Sequence, residues 1–225
     1  MIGHYHGHVS DSPFAAPSAG PDSAPWTVGF DLDMTLIDSR AGIKTTYDRL
    51  AAETGVPIDS DAIITRLGPP VETELAHWFP ADQVQAASDR YRELYARYGI
   101  DEATALPGAY EAIAAVRERG GRVVVVTGKQ TANARRNLDA LDLVVDEVFG
   151  QVFAEGKGAV LLKQNARVYV GDHVGDILGA HAGGALAVAV ATGPYDAAQL
   201  TQAGAEVVLP DLTRFPAWLD AYLAS

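Results

Sequence analysis

The chain has 225 residues, of which 48% are hydrophobic, and it carries a formal net charge of −12. This composition suits a globular protein with a full core and a small second unit, while the acidic balance argues against a nucleic-acid or anionic-membrane partner. The absence of cysteine excludes disulfides and thiolate nucleophiles, and without a bilayer-spanning stretch or a signal peptide we expect a cytoplasmic protein.

The first 25 residues differ in composition from the rest of the chain. They are rich in Gly, Pro, Ser and His and lack apolar periodicity, which is typical of a flexible tail. The alternating His4, His6 and His8 could bind a transition metal, but incidental histidines in a disordered tail are the simpler interpretation.

A short apolar run from Trp26 to Phe30 predicts a buried strand of a parallel sheet. Asp31 and Asp33 would then lie at its carboxyl end, where open α/β sheets bind ligands. Both carboxylates can face one ligand only if the chain leaves regular β geometry between them, at about Leu32. The Thr35 hydroxyl could hydrogen-bond in the resulting turn. Two such carboxylates suit nucleophilic attack on phosphorus by one and proton transfer by the other. The alternative is a solvated turn with two exposed acids.

The next region, residues 39–105, has a helical and amphipathic pattern. Glycines end the segments SRAGIKTTYDRLAAETG and AASDRYRELYARYG, and no convincing strand interrupts the region. This pattern predicts a helical bundle inserted into the chain, where it could close over a substrate. The segment RLGPP, residues 66–70, breaks the helical pattern within the bundle.

From residue 106 onward, helices and strands alternate again. A helix is predicted by GAYEAIAAVRERGG, and strands are predicted by RVVVV, RVYV, ALAVAV and EVVL. The alternation predicts an α/β fold with a doubly wound, Rossmann-like parallel sheet. In this interpretation residues 26–38 and 106–225 form the core, and residues 39–105 form the cap.

Polar residues follow two of these strands, as Asp31 and Asp33 follow the first. They are Thr127, Gly128, Lys129, Asp172 and Asp176. Because parallel strands end at the same edge of a sheet, we expect these side chains to meet. Four of them have a simpler alternative, since Thr127, Asp172 and Asp176 could cap the helices that follow them and Lys129 could be solvated.

The motifs DLDMT, VVVVTG and GDHVGD, together with Lys157, resemble the four motifs of the haloacid dehalogenase-like hydrolase superfamily. The chain looks most similar to the phosphoglycolate-phosphatase-type branch with a helical cap. The resemblance implies that Asp31 is the nucleophile and Asp33 the general acid/base. It also implies that Thr127 binds the transferring phosphoryl group and that Lys157 balances its charge. Lys163 is the alternative lysine, but its helical pattern puts it on an exposed face.

The resemblance further implies a Mg²⁺ cofactor. Asp172 would bind the ion directly, together with Asp31 and the backbone carbonyl of Asp33, and Asp176 would support the site. Magnesium prefers a few hard oxygen ligands of this kind. The residues expected to contact substrate are Thr35, Gly128, Lys129, Arg66 and Gly68. For the last two, an ordinary interhelical turn is the alternative.

These expectations describe a magnesium-dependent phosphatase that acts on a small phosphorylated metabolite through an aspartyl-phosphate, with a phosphoglycolate-like substrate as the first choice. A haloacid dehalogenase would need neither Asp33 as a proton carrier nor a magnesium site. A sugar phosphomutase on the same scaffold is a closer alternative, since it differs in how the cap holds a bisphosphate. A non-catalytic binding or regulatory module is the third.

Overall fold

A computed structural model describes residues 26–225, and the predicted tail with its three histidines lies outside this range. Strands and helices alternate through most of the described chain. The strands are β1 (Thr27–Phe30), β2 (Ile37–Asp38), β3 (Thr104–Ala105), β4 (Arg122–Val126), β5 (Glu147–Phe149), β6 (Ala166–Gly171), β7 (Leu186–Val190) and β8 (Val207–Leu209). The helices are α1 (Arg40–Thr54), α2 (Ser60–Ile63), α3 (Val71–Leu75), α4 (Val84–Tyr98), α5 (Ala109–Glu118), α6 (Thr131–Ala140), α7 (Gly156–Lys163), α8 (Val174–Ala182), α9 (Ala197–Gln202) and α10 (Phe215–Leu223), with a 3₁₀ turn at Leu212–Arg214.

Six strands form one parallel sheet in the order β5-β4-β1-β6-β7-β8. Alternate residues of β4 pack into different hydrophobic clusters, with Val123 and Val125 in one and Val124 and Val126 in the other. Both faces of the sheet are therefore buried, which explains the continuous apolar run in this strand. The α/β, Rossmann-like fold class predicted from the sequence is confirmed.

The structure contains short strands that the sequence pattern did not predict. Strand β5 has only three residues, begins at the exposed Glu147 and lies at the edge of the sheet. Strands β2 and β3 have two residues each and pair antiparallel. The expectation that no strand interrupts residues 39–105 was therefore wrong at Thr104–Ala105. Elements this short carry no periodic signal, because the strand pattern needs at least four residues.

Helices α1 to α4 share a hydrophobic cluster distinct from the two that flank the sheet. It includes Ile43 and Tyr47 from α1, Leu75 from α3, and Leu94 and Tyr95 from α4. The division into a cap of residues 39–105 and a core stays a prediction. Within residues 26–225, no helix combines the length and apolar character that crossing a membrane requires.

Candidate active site

Three neighbouring strands of the sheet end at polar side chains. Asp31 follows β1, Thr127 follows β4 and Asp172 follows β6, and β1 pairs with both of the other strands. Because the strands are parallel, their carboxyl ends bring these side chains to one edge of the sheet. All three line one cavity of about 100 Å³, together with Asp33, Gly128, Lys129, Arg66 and Gly68.

The turn after β1 directs two carboxylates to this cavity. The carbonyl of Leu32 accepts hydrogen bonds from the N–H groups of Leu36 at 2.9 Å and Ile37 at 3.0 Å. Met34 adopts a positive φ of 60°, so the backbone leaves extended geometry immediately after Asp33. The cavity is consequently lined by both Asp31 and Asp33.

Thr35 joins the turn after β1 to the loop after β6. Its Oγ1 donates a hydrogen bond of 2.8 Å to Oδ1 of Asp172, and both residues are buried. A Cβ built on Gly193 would lie 1.8 Å from Oδ2 of Asp172, so only glycine allows the chain to pass this carboxylate. Thr35 therefore positions Asp172, and within residues 26–225 it does not line the cavity.

Lys157 is a buried cation between two carboxylates. Its Nζ lies 2.6 Å from Oδ1 of Asp176 and 3.2 Å from Oδ1 of Asp31. It also donates to the Tyr169 hydroxyl at 2.8 Å, which in turn donates to the Val126 carbonyl at 2.6 Å. Although burial acts to lower it, the charges of Asp176 and Asp31 raise the pKa of Lys157 above its ordinary value. The lysine is therefore held charged beside Asp31.

Replacing this lysine is expected to destabilise the fold. Lys157→Met leaves two buried carboxylates without their cation, and breaking a buried pair in this way typically costs about 3–5 kcal/mol. Urea unfolding measures the change in the free energy of unfolding. Lys163→Met is the matched control, because Lys163 is exposed on the same helix and we expect a change within about 0.5 kcal/mol. A similar small change for Lys157→Met would contradict a role for the pair in stability.

Three buried carboxylates form a cluster suited to a divalent cation. Asp31, Asp172 and Asp176 each offer a ligand atom within 4.8 Å of the others. Burial raises the pKa of Asp31 to about 7 and raises the pKa of Asp172 well above its ordinary value. Oδ1 of Asp31 has no hydrogen-bond partner among the described residues. Three carboxylates with one buried cation beside them, Lys157, fit Mg²⁺, which prefers hard oxygen ligands.

Asp176 is more fully bonded than the other two acids. Its Oδ1 accepts from Lys157 Nζ, and its Oδ2 accepts from the His173 N–H at 3.0 Å. His173 Nδ1 accepts from the Gly175 N–H at 2.9 Å, which completes a capping box at the start of α8. Asp176 thus has the capping role that the sequence left open, and its supporting role in a metal site stays a prediction.

Asp33 is held by contacts that the sequence did not predict. Its Oδ1 accepts from Ser39 Oγ at 2.5 Å and from Lys129 Nζ at 2.5 Å. Lys129 Nζ also donates to the Tyr95 hydroxyl of α4 at 2.8 Å. Burial acts to lower the pKa of Lys129, but the charge of Asp33 raises it above its ordinary value. Lys129 is therefore not the solvated loop lysine considered as an alternative, and it links Asp33 to helix α4.

Thr127 and Gly128 lie in the loop between β4 and α6. Helix α6 begins at Thr131 with Gln130 before it, so Thr127 does not cap the helix. Its Oγ1 accepts a hydrogen bond from the Lys129 N–H at 3.2 Å. Both Thr127 and Gly128 line the cavity, where the hydroxyl is available to a bound oxyanion.

The loop after α2 brings Arg66 and Gly68 to the cavity. Arg66 donates to Glu74 from Nε at 3.2 Å and from Nη2 at 2.6 Å. Gly68 has a φ of 139°, and a Cβ there would lie 2.4 Å from Cδ2 of His173. The close contact requires glycine. This loop therefore reaches His173, the residue that follows Asp172, and its contact with substrate stays a prediction.

Known proteins resemble this chain over most of its length. A family model described as haloacid dehalogenase-like hydrolase matches residues 28–190. A phosphoglycolate phosphatase from Rhodospirillum rubrum is 28% identical over 220 residues, covering 87% of this chain and 91% of that protein. A haloacid dehalogenase-like family hydrolase from Streptococcus pneumoniae has a TM-score of 0.74 at 26% identity, covering 88% and 98%. A structure described as a predicted phosphatase from Clostridium acetobutylicum has a TM-score of 0.77 at 22% identity, covering 88% and 100%.

Proposed function

Because the chain belongs to the haloacid dehalogenase-like hydrolase family, we propose that it is a magnesium-dependent phosphatase that hydrolyses a small organic phosphate monoester. The observation that carries the proposal is the environment of Asp31. Its Oδ1 is buried without a hydrogen bond and lies 3.2 Å from the Lys157 ammonium. Asp31 also lines the cavity, together with Asp33. Such a carboxylate is suited to attack an electrophile in the cavity.

In the first step, an oxygen of Asp31 bonds to phosphorus while the bond from phosphorus to the leaving alcohol breaks. Asp33 gives a proton to the leaving oxygen. Ser39 and Lys129 both bind Oδ1 of Asp33, and within residues 26–225 no donor bonds to its Oδ2, which suits that oxygen for the transfer. The product of this step is the alcohol and a phosphorylated Asp31.

In the second step, Asp33 takes a proton from a water molecule, whose oxygen attacks the phosphorus. The bond between Asp31 and phosphorus then breaks, releasing inorganic phosphate and restoring the carboxylate. Lys157 supplies positive charge beside Asp31 throughout, and the Thr127 hydroxyl can donate to a phosphoryl oxygen.

Asp31 and Asp172 are the side chains that would hold magnesium, with the Asp33 carbonyl as a third ligand. Asp176 would support them through Lys157 and the start of α8. When bound, the ion would offset the charge of the phosphate and help to orient it toward Asp31. A cytoplasmic location, expected from the sequence, remains part of the proposal.

The function is tested by measuring phosphate release from a panel of small monoesters, with and without Mg²⁺. Phosphoglycolate is the first compound to include, because the relative from Rhodospirillum rubrum is named for it. Metal-dependent release is the expected result. No release from any monoester would contradict a phosphatase, and isomerisation that needs an added bisphosphate would favour the phosphomutase.

We also expect Mg²⁺ to stabilise the folded protein. A ligand that binds only the native state raises the free energy of unfolding by RT ln(1 + [L]/Kd), about 2.7 kcal/mol at 100 times Kd. Thermal unfolding in Mg²⁺ or in a chelator measures the shift. Asp172→Asn should reduce it strongly, whereas Asp139→Asn, on the exposed face of α6, should not. Equal shifts for the two variants would remove Asp172 from the metal site.

A further inference from the structure

The wall of the cavity formed by α1, α2, α4 and the loop after α2 carries apolar and aromatic side chains. They are Ile43, Tyr47, Ile63, Leu67 and Tyr91. The rings of Tyr47 and Tyr91 pack with their centroids 4.6 Å apart. Asp31 and Asp33 line the same cavity, so the alcohol of a monoester bound at Asp31 would meet this wall. An apolar surface on that alcohol would be removed from water there.

The two arginines that line the cavity are already paired with carboxylates. Arg66 binds both oxygens of Glu74, at 2.6 Å and 3.2 Å. Arg92 binds Glu72 and also Asp89, the latter at 3.1 Å. These ion pairs offset the positive charge of both arginines, which would otherwise attract an anionic group of a substrate, although Nη1 of Arg66 takes no part in its pair.

The Arg66 pair is fixed by further packing. Glu74 is buried, and its Oε1 also accepts from the indole N–H of Trp78 at 3.1 Å. A buried carboxylate is strongly disfavoured without its cation. Arg66 is therefore held by Glu74 and is not a free cation at the cavity wall.

The two remaining basic side chains of the cavity offer no unpaired positive charge either. Lys129 is paired with Asp33 at 2.5 Å. His173 accepts the Gly175 N–H at Nδ1 and so carries no proton on that nitrogen. Among residues 26–225, each lysine or arginine that lines the cavity thus has a carboxylate partner.

We propose that the site selects phosphate monoesters of uncharged alcohols that have an apolar or aromatic surface, and that it disfavours anionic leaving groups such as glycolate. The inference rests on the proposed phosphatase function and deepens it. A carboxylate on the leaving group would be desolvated without an unpaired cation to receive it. An apolar group would instead contact Ile43, Ile63 and the paired tyrosine rings.

Two matched pairs of substrates test the inference on the wild-type protein. Phosphoglycolate and its amide have nearly the same shape and differ in charge, and benzyl and ethyl phosphate differ in apolar surface. We expect kcat/KM to be at least about tenfold higher for the amide than for phosphoglycolate, and higher for benzyl than for ethyl phosphate. A tenfold difference corresponds to about 1.4 kcal/mol.

A variant tests whether the Arg66 pair causes the selectivity. Glu74→Gln keeps the side-chain shape and can still accept from Trp78, but it frees the charge of Arg66. We expect it to shift the ratio of kcat/KM values toward phosphoglycolate by about tenfold. Glu93→Gln is the control, because Glu93 pairs with Arg90 on an exposed face and should leave the ratio unchanged.

The outcomes distinguish a failure of the proposed selectivity from a failure of the proposed phosphatase function. An active wild-type enzyme that prefers phosphoglycolate to its amide, or ethyl to benzyl phosphate, would overturn the selectivity and leave the phosphatase intact. No turnover of any of the four compounds would overturn both. An unchanged ratio in folded Glu74→Gln would overturn the role of the pair, and if that variant fails to fold, the wild-type comparison still decides the selectivity.

Discussion

Asp31→Asn is expected to abolish phosphate release, with a loss of about four orders of magnitude or more, while the protein stays folded. An amide oxygen is a poor nucleophile, so the first step has no substitute attacking group. The fold should persist because Lys157 keeps Asp176 as a partner at 2.6 Å. Phosphate release measures the activity, and circular dichroism with thermal unfolding measures the fold.

The matched control for this variant is Asp38→Asn. Asp38 lies seven residues later, outside the cavity, and pairs with the exposed Arg40. We expect it to retain activity close to that of the wild type. Appreciable turnover by pure Asp31→Asn would remove Asp31 from the nucleophile role.

Asp33→Asn should slow the reaction by about 10²- to 10⁴-fold, the usual contribution of a general acid/base. Asparagine can still accept from Ser39 and Lys129, so the geometry around the position should be preserved. What it cannot do is carry the proton to the leaving oxygen. The quantity to measure is the rate of alcohol release in a single turnover.

Comparing two leaving groups shows whether Asp33→Asn slows the reaction by removing proton transfer or by displacing the bound substrate. An aryl phosphate expels a stable oxyanion and needs little protonation, whereas an alkyl phosphate depends on it. The variant should therefore lose much less of its single-turnover rate with the aryl compound. An equal loss with both compounds would indicate that the substitution disturbs binding or position and that the acid is another group.

The residues of the site at the edge of the sheet could be predicted from the sequence, because each of them follows a strand that is recognisable within its own segment. A buried parallel strand is a continuous apolar run, and the residue that follows it must lie at the carboxyl edge. Asp31, Thr127 and Asp172 could be assigned to one place on this basis. Lys157 came from the resemblance to a family, since nothing in its own segment indicates that its ammonium lies beside Asp31.

The contacts that join distant parts of the chain could not be predicted. Tyr95 meets Lys129 from a helix 34 residues earlier, and its helical pattern indicated only a buried face. Glu74 gave no signal either, because a glutamate on a short helix is ordinarily exposed. Such pairs depend on how helices pack against the sheet, which periodicity within one segment does not specify.

The most direct test of the account is to trap the covalent intermediate. A monoester with a labelled phosphoryl group is mixed with the wild-type protein and Mg²⁺, the reaction is stopped with acid within a turnover, and the peptides are mapped. We predict label on the peptide that contains Asp31, and none in Asp31→Asn. Steady turnover by the wild type with label on no residue, or on a residue other than Asp31, would contradict the account.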